Sequence, residues 1–248
     1  MVGSLLLARA MYRASRIFFL LAALIGAIGV PQVNLATAAE DSHDQICHLA
    51  ADLALGSENY AQAIKLHQAV VAVHPEDALA HYHLGFSFGM ADRHDQELAE
   101  YRKAVELGLR QWDLYLNLGR VYLEDHDYPA ATEALTTAAK LGPQHPEAHF
   151  NLGLALERQR MLARAEQEMR TALSLGGARA DASNMLAVIC AEEGKQAEAR
   201  RIWTELAHSE PGSAVAQTNL AILESREGSS PQAPPVASTS VVYSQPLP

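Results

Sequence analysis

The pattern of hydrophobic positions in residues 44–227 repeats every 34 residues. A frame that starts at residue 44 gives further copies at 78, 112, 146, 180 and 214, with no insertion between them. The seventh position is leucine in five of the six copies, and the eighth is always glycine or alanine. The eleventh position is hydrophobic in five copies, and it shares a helix face with the seventh because the two lie four residues apart. Each copy is therefore predicted to begin with a helix.

A second helix is predicted in the later half of each copy. The twentieth position is alanine in four of five copies, with Glu97 as the exception, and the twenty-fourth is bulky and apolar except for His67. Small residues at positions eight and twenty allow the two helices to approach closely. Proline or glycine at position thirty-two, present in four of five copies, ends the second helix. One such hairpin cannot bury its own apolar face, so successive hairpins must stack.

The pattern predicts an all-α chain with little material for strands. Five hairpins are expected at 44–77, 78–111, 112–145, 146–179 and 180–213, followed by a capping helix at 214–227. Glu224 occupies the eleventh position of that last helix, which fits a cap with a polar outer face. Residues 228–248 are rich in Gly, Ser, Pro, Ala and Val, and this composition predicts a disordered tail because it cannot build a core.

The repeated residues identify a family resemblance. The third copy carries the fullest set, namely Tyr115, Leu118, Gly119, Tyr122, Ala131, Ala138 and Pro143. This set resembles the tetratricopeptide repeat family over residues 44–227. The resemblance implies a right-handed superhelical α-solenoid of helical hairpins that acts as a scaffold or adaptor for other proteins and not as an enzyme. Glu97 and His67 depart from the family pattern, so we expect local irregularity in the first two copies.

The resemblance also implies where a partner binds. In this family the first helices line a concave groove, and the sixth position of each repeat points into it. Here the sixth position includes His83, Asn117 and Asn151, similar to the asparagine ladder of O-linked N-acetylglucosamine transferase. Because an asparagine amide both donates and accepts hydrogen bonds, such a row can bind the backbone of an extended peptide. The alternative is that these are ordinary polar residues on a wet helix face.

Acidic residues accompany this row at the second position of three successive copies. They are Asp113, Glu147 and Asp181. Chaperone-binding members of the family use basic residues there, so this chain carries the opposite charge. An acidic groove favours a partner segment with Lys or Arg, and a merely solvated acidic face is the alternative interpretation.

The N-terminal segment, residues 1–39, is predicted to be a secretory signal peptide. Three arginines precede an apolar run at 17–30, and small residues follow it. The run of 14 residues is shorter than the roughly 20 needed to span a bilayer. An uncleaved membrane anchor and an organelle transit peptide are the alternatives. A signal peptide with a repeat body resembles bacterial periplasmic factors that assist secretion, pilus or outer-membrane assembly, or polysaccharide export.

Charge and the absence of catalytic motifs narrow the remaining classes of function. The formal net charge of −10 disfavours binding to nucleic acid. No phosphate-binding loop, cysteine pair or nucleophile motif occurs, so no catalytic residue, cofactor or metal ligand is assigned. Histidine-based metal binding is a minor alternative, with His81 and His83, or His145 and His149, as the pairs considered. Self-association through the groove stays open.

Overall fold

The computed structural model describes residues 48–177, 179–209 and 214–227. All of them belong to one unit, Ile46–Pro248. Within them the chain forms eleven α-helices and no strand. The helices are α1 (48–56), α2 (Tyr60–Val73), α3 (Ala78–Gly89), α4 (His94–Glu106), α5 (Trp112–Glu124), α6 (Tyr128–Leu141), α7 (Pro146–Arg158), α8 (Leu162–Ser174), α9 (Arg179–Glu192), α10 (Gln196–Ser209) and α11 (Ala214–Glu227). The predicted signal peptide and tail lie outside the described residues.

The helices pack in chain order as antiparallel hairpins. The helix pairs α3–α4, α5–α6, α7–α8 and α9–α10 form hairpins, and each hairpin contacts the next through its neighbouring helices. Helix α2 packs on α3, and α11 packs on α10 as the last element of the stack. The first helices also touch one another directly, α5 with α7 and α7 with α9. The predicted all-α solenoid is therefore confirmed.

Polar side chains start several of these helices. Asp77 accepts hydrogen bonds from the backbone N–H groups of Leu79 and Ala80, both at 3.0 Å, and so caps α3. Asn59 and Asp127 cap α2 and α6 in the same way. Pro146 opens α7 at a position where no backbone N–H is required, and His145 precedes it as the N-cap residue. His145 therefore lies outside the helix, as its place before proline predicts.

Every first helix ends in the same backbone turn. The fifteenth residue of each repeat has a positive φ, and the N–H of the sixteenth bonds the carbonyl of the eleventh at 2.8–3.0 Å, a Schellman motif. The fifteenth residues are Glu58, Asp92, His126, Arg160 and Gly194. Only the last is glycine, the residue that adopts this conformation without strain. The turn is therefore set by the geometry of the hairpin, since four unfavourable residues adopt it.

Small residues at the eighth position set the distance between the two helices of a hairpin. A Cβ on Gly119 would lie 2.4 Å from Cγ of Leu135, and one on Gly153 would lie 2.8 Å from Cε of Met169. Leu135 and Met169 are the bulky residues at position twenty-four of the same repeats, and both are fully buried. The two helices therefore approach closely at position eight, as its small residues predict, and the side chain that fills the space there comes from position twenty-four.

The second hairpin departs from the pattern at two residues that contact each other. Glu97 replaces the small residue at position twenty and is 5% exposed. Its carboxylate occupies the space above Gly89, where an added Cβ would lie 2.4 Å from Oε1. Burial raises the pKa of Glu97, and His94 Nδ1 lies 3.4 Å from its Oε2. The expected irregularity is thus a pair of compensating residues, because the glycine makes room for the larger side chain.

Candidate functional site

The sixth-position asparagines lie between neighbouring first helices. Asn117 on α5 and Asn151 on α7 are each 1% exposed. Asn117 Nδ2 donates a hydrogen bond to the hydroxyl of Tyr82 on α3 at 3.3 Å. Asn151 Nδ2 donates to the backbone carbonyl of Glu147 at 2.9 Å, within its own helix. The amide donors are therefore used inside the helix stack.

The same contact recurs at the C-terminal end of the stack. Asn219 Nδ2 on α11 donates to Asn184 Oδ1 on α9 at 3.1 Å, and the same oxygen accepts from Trp203 Nε1 at 2.9 Å. In both cases the sixth position donates to the fifth position of the preceding repeat, 35 residues earlier. The sequence contains a signal for this contact, since the polar residues Tyr82 and Asn184 stand at that spacing, but the fifth position is not one that the 34-residue pattern marks.

The amide oxygens of the two asparagines, unlike their nitrogens, are not used in hydrogen bonds within the described residues. Oδ1 of Asn117 and Oδ1 of Asn151 are buried and have no hydrogen-bond partner among the described residues. A peptide N–H could satisfy each of them only if it reached below the present surface. The prediction that these two amides bind a peptide backbone therefore stays a prediction.

The acidic residues of the second position form a row on successive first helices. Asp113, Glu147 and Asp181 lie in the first turns of α5, α7 and α9, where a negative charge complements the helix dipole. All three are partly exposed. Burial raises the pKa of Asp181. Within the described parts of the chain, no basic side chain forms an ion pair with any of the three.

One cluster of acids on the second helices is paired with cations. On the second helices, Arg170 bonds both Glu166 and Glu198 at 2.7 Å. Lys195 also bonds Glu166, and these bonds hold the pKa of that carboxyl down at about 2. The acidic row of the first helices therefore differs from this second-helix cluster in forming no ion pair among the described residues.

His83 belongs to a different group from the asparagines. Its Nδ1 lies 2.9 Å from Asp52 Oδ1 on α1, and its ring meets the ring of His67 edge-on, with centroids 5.3 Å apart. The structure therefore places His83 at the junction of the first two hairpins.

The other histidine pairs act within the hairpins. His81 and His149, both at position four, place Nδ1 beside Glu100 and Glu168 at 2.5 and 2.7 Å. Their Nε2 atoms lie 3.1 and 3.2 Å from the carbonyls of the proline six residues earlier. His145 instead stacks on Trp112, with ring centroids 3.5 Å apart. Neither pair considered from the sequence therefore converges on a common metal position.

A cleft between three consecutive helices is an alternative binding surface. It has a volume of about 300 Å³ and lies between α4, α5 and α6. Tyr115, Tyr122 and Leu118 contribute its apolar lining, and Arg102 donates to the Tyr122 hydroxyl at 3.0 Å across it. This cleft provides a control surface for experiments on the first-helix row.

The fold and its repeated contacts define an α-solenoid of helical hairpins. The tetratricopeptide repeat family model matches residues 48–110 and 116–180, more than half of the chain. The chain therefore belongs to the tetratricopeptide repeat family. Proteins with this fold act as scaffolds for protein–protein interaction. No curated protein matches this sequence.

Solved structures show the same fold at low sequence identity. YrrB, described as a TPR protein with an unusual peptide-binding site, is 20% identical with a TM-score of 0.67, covering 74% of this chain and 96% of YrrB. MamA from Desulfovibrio magneticus RS-1 is 16% identical with a TM-score of 0.62, covering 69% and 97%. PilF of Pseudomonas aeruginosa is 22% identical with a TM-score of 0.60, covering 76% and 86%. Across the described residues, no helix has the length and apolarity to cross a membrane.

Proposed function

We propose that this protein is an exported scaffold that binds an extended, basic segment of a partner protein along its first helices. The observation that carries the proposal is the row of Asp113, Glu147 and Asp181, which is partly exposed and forms no ion pair among the described residues. Complementary charge across an interface accelerates association and selects partners. The peptide-binding site named for YrrB supports a peptide as the ligand.

The distance between helices in the stack suggests how far apart the basic residues of the partner segment should lie. Neighbouring packed helices lie about 8–10 Å apart, and an extended segment in the polyproline II conformation advances about 3.1 Å per residue with every third side chain on the same side. Basic residues three positions apart would therefore meet successive carboxylates of the row. We expect a segment with Lys or Arg at every third residue to bind better than one with the same composition at irregular spacing.

A peptide-binding assay tests this expectation directly. Fluorescence anisotropy would compare a labelled peptide with lysine at every third residue against its scrambled and glutamate counterparts. The triple variant Asp113→Asn, Glu147→Gln, Asp181→Asn should bind the lysine peptide about tenfold more weakly, since three charge contacts of about 0.5 kcal/mol each sum to about 1.5 kcal/mol. The loss should shrink at high salt, where exposed charges are screened.

The matched control removes the same charge elsewhere. Asp95→Asn, Asp125→Asn and Glu133→Gln neutralise three exposed acids outside the row that form no ion pair among the described residues. This variant should bind like the wild type. Equal weakening in both triple variants would show that net charge, and not the first-helix row, attracts the peptide.

Photo-crosslinking in the native cell would name the partner. A probe at the partly exposed Glu147 is better placed than one at the buried Asn117. A discrete crosslinked protein from Glu147, absent from a probe at Glu133 beside the alternative cleft, is the expected result. A crosslink from Glu133 alone would assign binding to the second helices.

The proposed cellular location rests on the sequence of residues 1–39. This segment has a basic start, an apolar run and a small-residue end. Export to the bacterial periplasm predicts a mature chain that begins near Ala39 or Glu40. The intact mass of the protein isolated from cell fractions measures this. A full-length chain in the membrane fraction would favour an anchored scaffold with the same partner surface.

A further inference from the structure

One core position of the first hairpin holds a residue that packing does not explain. The twenty-fourth position is filled by Tyr101, Leu135, Met169 and Trp203 in the other four hairpins, and by His67 here. His67 is 1% exposed, and neither of its ring nitrogens has a hydrogen-bond partner among the described residues. A buried polar group without a partner is destabilising. A ligand for one of these nitrogens would offset part of this cost.

Two other potential metal ligands surround this histidine. Asp52 on α1 and His83 on α3 each offer an atom that lies, with one from His67, within a group no more than 4.8 Å across. Asp52 Oδ1 is 2.9 Å from His83 Nδ1 and 3.8 Å from His67 Nε2, the second distance being too long for a hydrogen bond. The three groups come from three successive helices and converge at the junction of the first two hairpins.

The protonation state of His67 allows its ring to act as a metal ligand. Burial lowers its pKa to about 4, and the nearby His83 and His48 act in the same direction, while Asp52 and Asp77 oppose them. The ring is therefore neutral near pH 7, so one nitrogen carries a free lone pair. Metal ions bind imidazole in this neutral form.

We propose that Asp52, His67 and His83 bind a divalent transition-metal ion of the zinc type, which fastens the first hairpin to the second. Two imidazoles and one carboxylate match the nitrogen and oxygen ligands that Zn²⁺ takes in proteins. Asp52 has 49% of its side chain exposed, so a water molecule can occupy a fourth position and the ion can enter from solvent. The site is independent of the partner surface on the later hairpins.

A second group of possible metal ligands differs because basic side chains already bind its carboxylates. Glu166, Cys190 and Glu198 also converge on one point. Arg170 and Lys195 already occupy both carboxylates, and burial raises the pKa of the Cys190 thiol to about 11. Existing cations therefore take the place of a metal there, whereas the group around His67 has no Lys or Arg paired with it within the described chain.

The test is zinc binding by the full chain, purified without a histidine tag and stripped with EDTA. Titration with ZnCl₂ in competition with a chromophoric chelator should give one site per chain. Thermal melting with excess Zn²⁺ should show a higher Tm than without it, because an ion that binds only the folded state stabilises it.

Three variants and one control locate the ion. His67→Leu restores an apolar residue to position twenty-four, His83→Asn introduces the residue found at position six of later repeats, and Asp52→Asn removes the carboxylate charge. Each should weaken zinc binding by about a hundredfold or more, given that loss of an outer-shell contact alone weakens it 10–100-fold. His126→Asn changes an exposed histidine outside the group and should bind like the wild type.

The outcomes are distinguishable from unfolding. His67→Leu should melt at or above the Tm of the metal-free wild type, because it removes the buried unpaired imidazole, and its Tm should no longer respond to Zn²⁺. An unchanged Tm in the wild type with excess Zn²⁺, or equal zinc affinity in wild type and His67→Leu, would overturn the proposal.

Discussion

Replacing Gly119 with alanine measures how strongly the hairpin depends on the close approach of its two helices. The new Cβ would lie 2.4 Å from Cγ and 2.7 Å from Cδ2 of Leu135. Carbon atoms do not approach this closely, so α5 and α6 must separate or Leu135 must leave its rotamer. Leu135 is fully buried, and neither adjustment is free.

The magnitude follows from two opposing effects. Overpacking a well-packed core costs about 1–3 kcal/mol. Alanine gains about 0.5–1 kcal/mol over glycine within a helix. The free energy of unfolding should therefore fall by about 0.5–2 kcal/mol. Gly56→Ala is the matched control, because no atom lies within 4 Å of its added Cβ, and it should raise the free energy of unfolding by up to about 1 kcal/mol.

Urea unfolding followed by far-UV circular dichroism would measure both variants, together with Leu135→Ala and the double variant Gly119→Ala, Leu135→Ala. Leu135→Ala alone should cost about 2–5 kcal/mol. The double variant should lose at least about 1 kcal/mol less than the sum of the single losses, because the two substitutions share one space. Simple additivity, or a Gly119→Ala variant as stable as Gly56→Ala, would refute the packing argument.

Three further predictions concern individual contacts. Burial raises the pKa of Glu97 above 4.5, so the folded chain retains a proton that the unfolded chain loses, and stability falls as pH rises above that value. Glu97→Gln should flatten this dependence in urea titrations at several pH values. Gly194→Ala, at φ 80°, should lower stability by about 1 kcal/mol, and Glu58→Gly, at φ 58°, should raise it, both measured by thermal melting. Asn184→Ala removes the acceptor shared by Trp203 and Asn219. It should cost about 2 kcal/mol and speed hydrogen exchange in α11.

Much of the hairpin architecture follows from the sequence because its determinants are local. The period of 34 residues and the small eighth position predicted that the two helices of a hairpin approach closely there, and the contact of Gly119 with Leu135 shows this approach. The repeat pattern also marks Glu97 as irregular, but it does not indicate that Gly89 lies against it. The spacing of eight residues between them crosses the turn, where the hairpin geometry decides which positions face each other.

The candidate sites were less predictable. The sequence identified Asp113, Glu147 and Asp181 as a row, and the structure shows that they are partly exposed and form no ion pair among the described residues. It did not indicate that Asn117 is buried against Tyr82, since that contact spans 35 residues. A comparison of the fifth and sixth positions of successive copies could have suggested it.

The sequence by itself determined the family, the number of hairpins predicted and the residues that pack within each one, because these depend on apolar periodicity and side-chain size along a short stretch of chain. Only the tertiary structure decided which polar groups meet between hairpins. Asp52, His67 and His83 converge although they sit at three unrelated positions of the repeat. Their meeting depends on the rotation and separation of adjacent helices, which the repeat period does not specify.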